Sequence, residues 1–192
     1  MRIPQQIAGQ TASGGVPDLT RTEQKGSVPD VSIAATGTAW VGSGVGSVNS
    51  AVEGLLERAR SEIQVAVYDM TGGADEFLAL LRGVLARGIQ VTMIVNRLSE
   101  KETGVREGLE RLASRFHQFQ LFDFTPADRM EDLHAKIIVR DRQEALVGSA
   151  NLTWKGLVRN HELAVIISGP PASVVAGLVD GLTRDRRVRR VG

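Results

Sequence analysis

Leu133-His134-Ala135-Lys136-Ile137-Ile138-Val139-Arg140-Asp141 is followed, after six further residues, by Gly148-Ser149-Ala150-Asn151. In an extended chain, successive side chains point to opposite faces. Leu133, Ala135, Ile137 and Val139 therefore share a face that requires a core. His134 and Lys136 stand beside each other on the opposite face. Two basic groups repel when both are protonated, and neither is stable there without an acceptor. A bound phosphate satisfies both. A tight turn at Asp141-Arg142 sends the chain back as a second strand over 144–147. Gly148, Ser149 and Asn151 then arrive at the end where His134 and Lys136 stand. Ser149 and Asn151 bring neutral donors, and a short helix over 151–158 would turn its anion-favouring N-terminus toward them.

Downstream, residues 162–167 read as the last strand. Asn160 and Glu162 share one face, and His161 points to the other. A carboxylate at Glu162 supplies negative charge and can hold an imidazole in one tautomer. A histidine held in that way serves as nucleophile, general base or general acid.

Upstream, the pattern alternates between helix and strand. Val48, Ala51, Val52, Leu55, Leu56 and Ala59 recur at helical spacing, with Ser50 and Glu53 read as a capping box. Residues 63–68 form a strand, and Gly72-Gly73 turns the chain. Phe77, Leu80, Leu81, Val84 and Leu85 mark a second helix, stopped by Gly88. Residues 89–95 form a strand, 101–114 a polar helix, and 119–124 a strand. The motif strand spans 133–140, and a last helix spans 172–182 behind Pro170-Pro171. Alternating helices and strands that end in a hairpin specify an α/β sandwich, with a mixed sheet and helices on both faces.

The chain has 192 residues, enough for one domain with its own core. Hydrophobic residues make up 42% and charged residues 23%, which excludes wholesale disorder. Cysteine is absent, so disulfides, thiolate metal sites and a cysteine nucleophile are excluded. No apolar run is long enough for a membrane span, and the first residues lack the apolar core of a signal peptide. A cytoplasmic protein without membrane attachment is the expectation. Residues 1–46 hold eight glycines and three prolines and read as a flexible arm or linker, with a short strand near 31–34 or 39–41. Residues 47–182 read as the catalytic domain. Residues 183–192 read as a basic tail, with five arginines against Asp185 in a chain of net charge +1.

His-x-Lys-x4-Asp-x6-Gly-Ser-x-Asn resembles the signature of the phospholipase D superfamily, with all six fixed letters at the right offsets. Asn160-His161-Glu162 is similar to the acidic element that follows that signature. The helix and strand order over about 48–182 resembles the compact bacterial nucleases of the superfamily, and the first 46 residues lie outside the resemblance. The resemblance implies an α-β-α sandwich around a central mixed sheet and phosphodiester cleavage without metal or cofactor. It implies that His134 attacks phosphorus to form a phosphohistidine. Lys136, Ser149 and Asn151 are then the groups that bind the non-bridging oxygens, and Glu162 is the carboxylate that orients His134. Asp141 and Gly148 are supporting residues, Asp141 more structural than catalytic. The family mechanism uses two motif copies and this chain has one, so the resemblance also implies a homodimer with His134 of each copy at a shared site.

Arg129, Trp154 and Lys155 are further candidates for contact with nucleic acid, the indole as a stacking surface. For Trp154, ordinary helix packing is the competing reading. His161 and the other histidines lack metal-ligand spacing, and no metal site is expected. The leading function is a nuclease, with DNA favoured over RNA. Small proteins of this type also occur in restriction and phage-defence systems, which makes a larger complex plausible. The alternatives are a lipid-directed phosphodiesterase or phosphatidyl transferase, and a non-catalytic nucleic-acid-binding subunit of a defence complex.

Overall fold

A computed structural model describes residues 30–71 and 74–192. The turn expected at Gly72-Gly73 and residues 1–29 of the expected arm lie outside the described residues. The strands are β1 Val31–Thr36, β2 Glu62–Val67, β3 Gln90–Asn96, β4 Phe119–Phe124, β5 Lys136–Arg140, β6 Glu144–Gly148, β7 Glu162–Ser168 and β8 Val188–Val191. The helices are α1 Val48–Arg58, α2 Ala74–Ala86, α3 Thr103–Arg115 and α4 Pro170–Thr183. The strands form one mixed sheet in the order β1-β7-β6-β5-β2-β3-β4-β8. β2, β3 and β4 run parallel, and every other pairing is antiparallel. The C-terminal ends of β2, β3, β4 and β6 therefore share one edge of the sheet with the N-terminal ends of β5 and β7.

Helices cover both faces, as the alternating pattern predicts. Val65, Val67, Met93, Val95, Leu121 and Ile138 pack in the large core with Val52, Leu55 and Leu56 of α1, Phe77 and Leu81 of α2 and Leu109 of α3. On the other face, Ala66, Ile94, Phe122 and Leu133 pack around Val179 of α4. Val139 and Ala145 pack against Ala172 and Ala176 of the same helix. Leu133, Ala135, Ile137 and Val139 thus face α4, and Ile138 faces the opposite layer. No helix of the described residues is long and apolar enough to cross a membrane.

The β5–β6 turn has left-handed backbone at Asp141 (φ 51°) and Arg142 (φ 55°). Gln143 N–H donates to Arg140 O at 2.9 Å, closing a tight turn, and Arg140 pairs with Glu144 across the three-residue loop of 141–143. The Asp141 carboxylate accepts from the N–H groups of Arg60, Ser61 and Glu62 and from the Ser61 hydroxyl, at 2.7–3.2 Å. Arg142 adds ion pairs to Glu62 and Asp180, which fasten the turn to β2 and α4.

Several expectations are corrected. The short strand expected near 31–34 is present as Val31–Thr36, but it belongs to the sheet as an edge strand paired along its length with β7 rather than to a flexible arm. The sheet therefore begins well before residue 47. Val188–Val191 pairs with β4, and Arg187 is held by Asp185 and Glu131, so this stretch of the basic segment is part of the fold. The N-cap of α1 is Ser47, whose hydroxyl accepts from Ser50 N–H. Glu53 instead takes a hydrogen bond from Asn49, one turn earlier. The paired part of the motif strand starts at Lys136, because Leu133 N–H is taken by the side chain of Asn96. The helix expected over 151–158 is a π-helical turn at Lys155–Arg159.

Candidate active site

His134, Lys136, Ser149, Asn151 and Glu162 all stand at the edge where the parallel strands end. This is the position at which open α/β sheets carry their ligands. β5 supplies Lys136, whose stem packs into the sheet so that the residue is only 7% exposed. Its ammonium lies 3.1 Å from His134 Nδ1 and 3.3 Å from Nε2, and it donates to His134 O at 2.9 Å. Burial pushes the Lys136 ammonium below its ordinary value, against the opposing pull of the Glu162 and Asp69 charges. A phosphate oxygen would restore the charge balance that burial disturbs. His134 itself is exposed and precedes the paired strand.

The return strand delivers the neutral groups. Ser149 N–H donates to Leu163 O at 3.0 Å, which locks the end of β6 onto β7. The Ser149 hydroxyl donates to Glu162 Oε2, and Asn160 Nδ2 donates to Glu162 Oε1 at 3.3 Å. The Glu162 carboxylate is thus taken by Ser149 and Asn160 rather than by an imidazole of its own chain. Asn151 Oδ1 is buried and has no hydrogen-bond partner among the described residues. An orphaned buried amide oxygen is costly unless something else completes it.

Gly148 permits the close approach of β6 and β7. A Cβ there would meet Ala164 Cβ and Leu163 O at 2.7 Å. Gly148→Val is expected to lower stability by about 3 kcal/mol, read as a shift in the urea midpoint, because backbone on the far side cannot yield.

Asp141 stands at the far end of β5 from His134, consistent with a supporting position. Arg129 is exposed, with its guanidinium on Glu100 at 3.0 Å. Trp154 is 42% exposed, which places its indole at the surface rather than in the core. Arg159 lies over its ring at 5.8 Å, and Lys155 is exposed beside it.

The geometry also assembles residues that the sequence reading did not single out. Tyr68, just past β2, has its ring centroid 4.5 Å from that of His134. Asp69 binds Lys101 Nζ at 2.8 Å, and that ammonium also lies over the Tyr68 ring. Their positions at the C-terminal end of a buried parallel strand and just before a helix were the available signals. On the other side of the rim, His161 Nε2 accepts from Ala39 N–H at 3.2 Å and meets Trp40 edge-on.

Comparison with known proteins agrees with this fold. The model of the cardiolipin synthase, PLD-like domain family matches residues 52–180. DISARM protein DrmC of Bacillus paralicheniformis is 23% identical over 138 residues, covering 71% of this chain and 56% of DrmC. Phospholipase D Y of Dictyostelium discoideum is 32% identical over 108 residues, covering 56% of this chain and 24% of that protein. The chain thus spans about half the length of one of these relatives and a quarter of the other. Among solved structures, the phospholipase D family member Nuc from Salmonella typhimurium superposes with a TM-score of 0.66 at 20% identity, over 85% of this chain and 98% of Nuc. NucT from Helicobacter pylori gives 0.67 at 14% identity, over 86% and 99%. With the family model spanning most of the sheet and the motif residues gathered at one edge, the chain belongs to the phospholipase D-like family.

Proposed function

We propose that this chain is a metal-independent phosphodiesterase that cleaves nucleic acid, DNA in the first place, through a phosphohistidine at His134. The observation that carries the reading is the exposed imidazole of His134 held against the buried ammonium of Lys136, with Ser149 and Asn151 delivered beside them. In the first step a ring nitrogen of His134 attacks phosphorus, and the phosphorus–oxygen bond to the leaving group breaks. The leaving oxygen takes a proton from His134 of a second copy. In the second step that histidine removes a proton from water. The water oxygen displaces His134 from phosphorus and regenerates the free imidazole. Lys136 and Asn151 stabilise the negative charge on the non-bridging oxygens. Glu162, with Ser149 and Asn160 on its oxygens, supplies the carboxylate of the site.

The second copy is needed because one chain brings one histidine of this kind. Around Asn160–Glu162 the rim is apolar and exposed: Trp40, Val41, Trp154, Val158 and Leu163 all face outward. Such a patch beside an incomplete site supports a two-fold contact there. The likeness to Nuc and NucT over nearly their whole length supports a compact single-motif enzyme. The relation to DrmC supports a place in a larger defence assembly. The names of the family model and of phospholipase D Y favour lipid phosphodiesters as the second reading.

The test is incubation of the protein with plasmid DNA, single-stranded DNA, RNA and phospholipid vesicles in excess EDTA. Nicking of nucleic acid that persists in EDTA is the expected result. Cleavage of vesicle lipid alone would replace the nuclease reading with the second one. Turnover of none of the substrates would favour a non-catalytic role. Equal mixing with His134→Ala protein, after subunit exchange, is expected to leave about one quarter of the activity, since only the unmixed dimer has both histidines. A residual of one half would show that each chain acts alone.

A further inference from the structure

Tyr68 takes no part in the phosphate chemistry above, yet its ring lies against His134. The ring centroids are 4.5 Å apart and the planes are inclined at 52°. Lys136 Nζ lies 4.9 Å from the same centroid, and Lys101 Nζ lies 5.4 Å from it. One aromatic ring therefore borders an imidazole and two ammonium groups. The negative potential of an aromatic face attracts cations and also seats a neighbouring ring.

The two rings differ in how firmly they are held. Tyr68 directly follows β2, a central strand paired with β3 on one side and β5 on the other. The next two residues are fastened too: Asp69 O accepts from Leu152 N–H at 3.2 Å, and Met70 bridges to Leu152. His134 lies outside the paired part of β5, and its ring nitrogens are contacted by Lys136. Its rotamer is therefore not fixed by its own strand. A wall of fixed geometry has to supply that restraint.

We propose that Tyr68 is the positioning residue of His134, the rigid aromatic wall that holds the imidazole in one orientation beside Lys136. The proposal rests on the reading of His134 as the nucleophile and deepens it. The ring does the work, and the hydroxyl is dispensable. Asp69 restrains Lys101 on the flank of the same ring, so that it does not displace Lys136 from the site.

Two measurements test this on the full-length protein. The first is steady-state cleavage by Tyr68→Leu and Tyr68→Phe. Loss of the wall is expected to lower kcat about tenfold or more, with KM within about twofold, because orientation is lost while the phosphate-binding groups stay. Tyr68→Phe is expected to recover most of that loss. The second is the NMR signal of the His134 ring protons. With three histidines in the chain, they are assigned by their disappearance in His134→Ala. Tyr68→Leu is expected to move them downfield as the ring current is removed, while Tyr68→Phe leaves them near their wild-type position. Unmoved resonances in a folded Tyr68→Leu protein would overturn the proposal. So would a Tyr68→Phe protein as impaired as Tyr68→Leu, which would assign the role to the hydroxyl. The resonances do not depend on turnover. A wild-type protein that cleaves, with unmoved resonances in Tyr68→Leu, removes Tyr68 alone. A wild-type protein that cleaves nothing, with resonances that move as expected, upholds the ring contact and removes the phosphodiesterase reading.

Discussion

His134→Ala is expected to lower phosphodiester cleavage by about 10⁴-fold or more while leaving the protein folded. The magnitude follows from the role proposed for the imidazole. It forms the covalent bond to phosphorus, so its removal deletes a reaction path rather than weakening a contact. In a shared dimer site the same substitution also removes the proton donor to the leaving oxygen, because both copies carry it. Folding is spared because His134 is exposed and stands before the paired strand. Lys136, Ser149 and Asn151 keep their backbone positions, and Lys136 keeps its bond to the carbonyl of residue 134. Binding of a non-cleavable phosphorothioate oligonucleotide is therefore expected to stay within about threefold of wild type. Cleavage and binding assays on one preparation separate the two effects. Cleavage by His134→Ala at the wild-type rate would remove the histidine mechanism.

Asp141→Ala is expected to produce the reverse pattern, a large loss of stability with chemistry nearly intact in the folded fraction. The Asp141 carboxylate accepts hydrogen bonds from three successive backbone N–H groups and from the Ser61 hydroxyl, and it pairs with Arg140 at 3.0 Å. Without it those donors lose the acceptor that ties the exposed corner between α1 and β2 to the turn. The expected cost is about 3 kcal/mol, read as a lower urea midpoint at neutral pH. Burial pushes this carboxyl up. The hydrogen bonds from Glu62 and Ser61, and then from Arg60, outweigh it and hold the carboxyl at about 2 against an ordinary 3.8. A carboxyl depressed by folding stabilises the folded state above its unfolded value and loses that contribution as pH falls toward the folded value. The wild-type advantage over Asp141→Ala is thus expected to be full above about pH 5 and to shrink by about 2 kcal/mol toward pH 2. A gap that stays constant from pH 6 to pH 2 would show that the carboxylate is not what holds the turn.

Residues 133–151 were legible because what they encode is local. Alternation sorts side chains between faces, and a tight turn leaves little freedom in where the return strand lies. The buried strands around Val65, Met93 and Leu121 were legible for the same reason. The outer strands were legible only in part: a short strand near 31–34 was readable, but its pairing with β7, far away in sequence, was not, and Val188–Val191 becomes a strand only by pairing with distant β4. Residues 188–191 were read as tail because arginines dominate them, yet exposed charge is what an edge strand tolerates. At α1 two serines three residues apart both fit a cap, and the residue preceding the helix takes the role because only it keeps an extended backbone. Tyr68 meets His134, and Lys101 meets Tyr68 and Asp69, through the pairing of β2 with β5 and of β2 with β3. That proximity is a property of the assembled sheet, and no spacing along the chain carries it.

The tight turn at Asp141-Arg142 also sets a rule for how this sequence can change in length. The left-handed backbone at Asp141 and Arg142, with Gln143 as the third loop residue, sets Ile137 opposite Val147. The offset between the histidine-lysine pair and Gly148-Ser149 is therefore a mechanical count of strand plus turn plus strand. Insertion or deletion of one residue between Lys136 and Gly148 would rotate everything beyond it by half a pleat. The glycine would then leave the tight crossing with Ala164, and Ser149 would leave its partners Glu162 and Leu163. Substitutions between these points cost packing and can be compensated. A change of length has no such remedy, so drift in this hairpin is confined to residue identity, and its length is inherited as a unit.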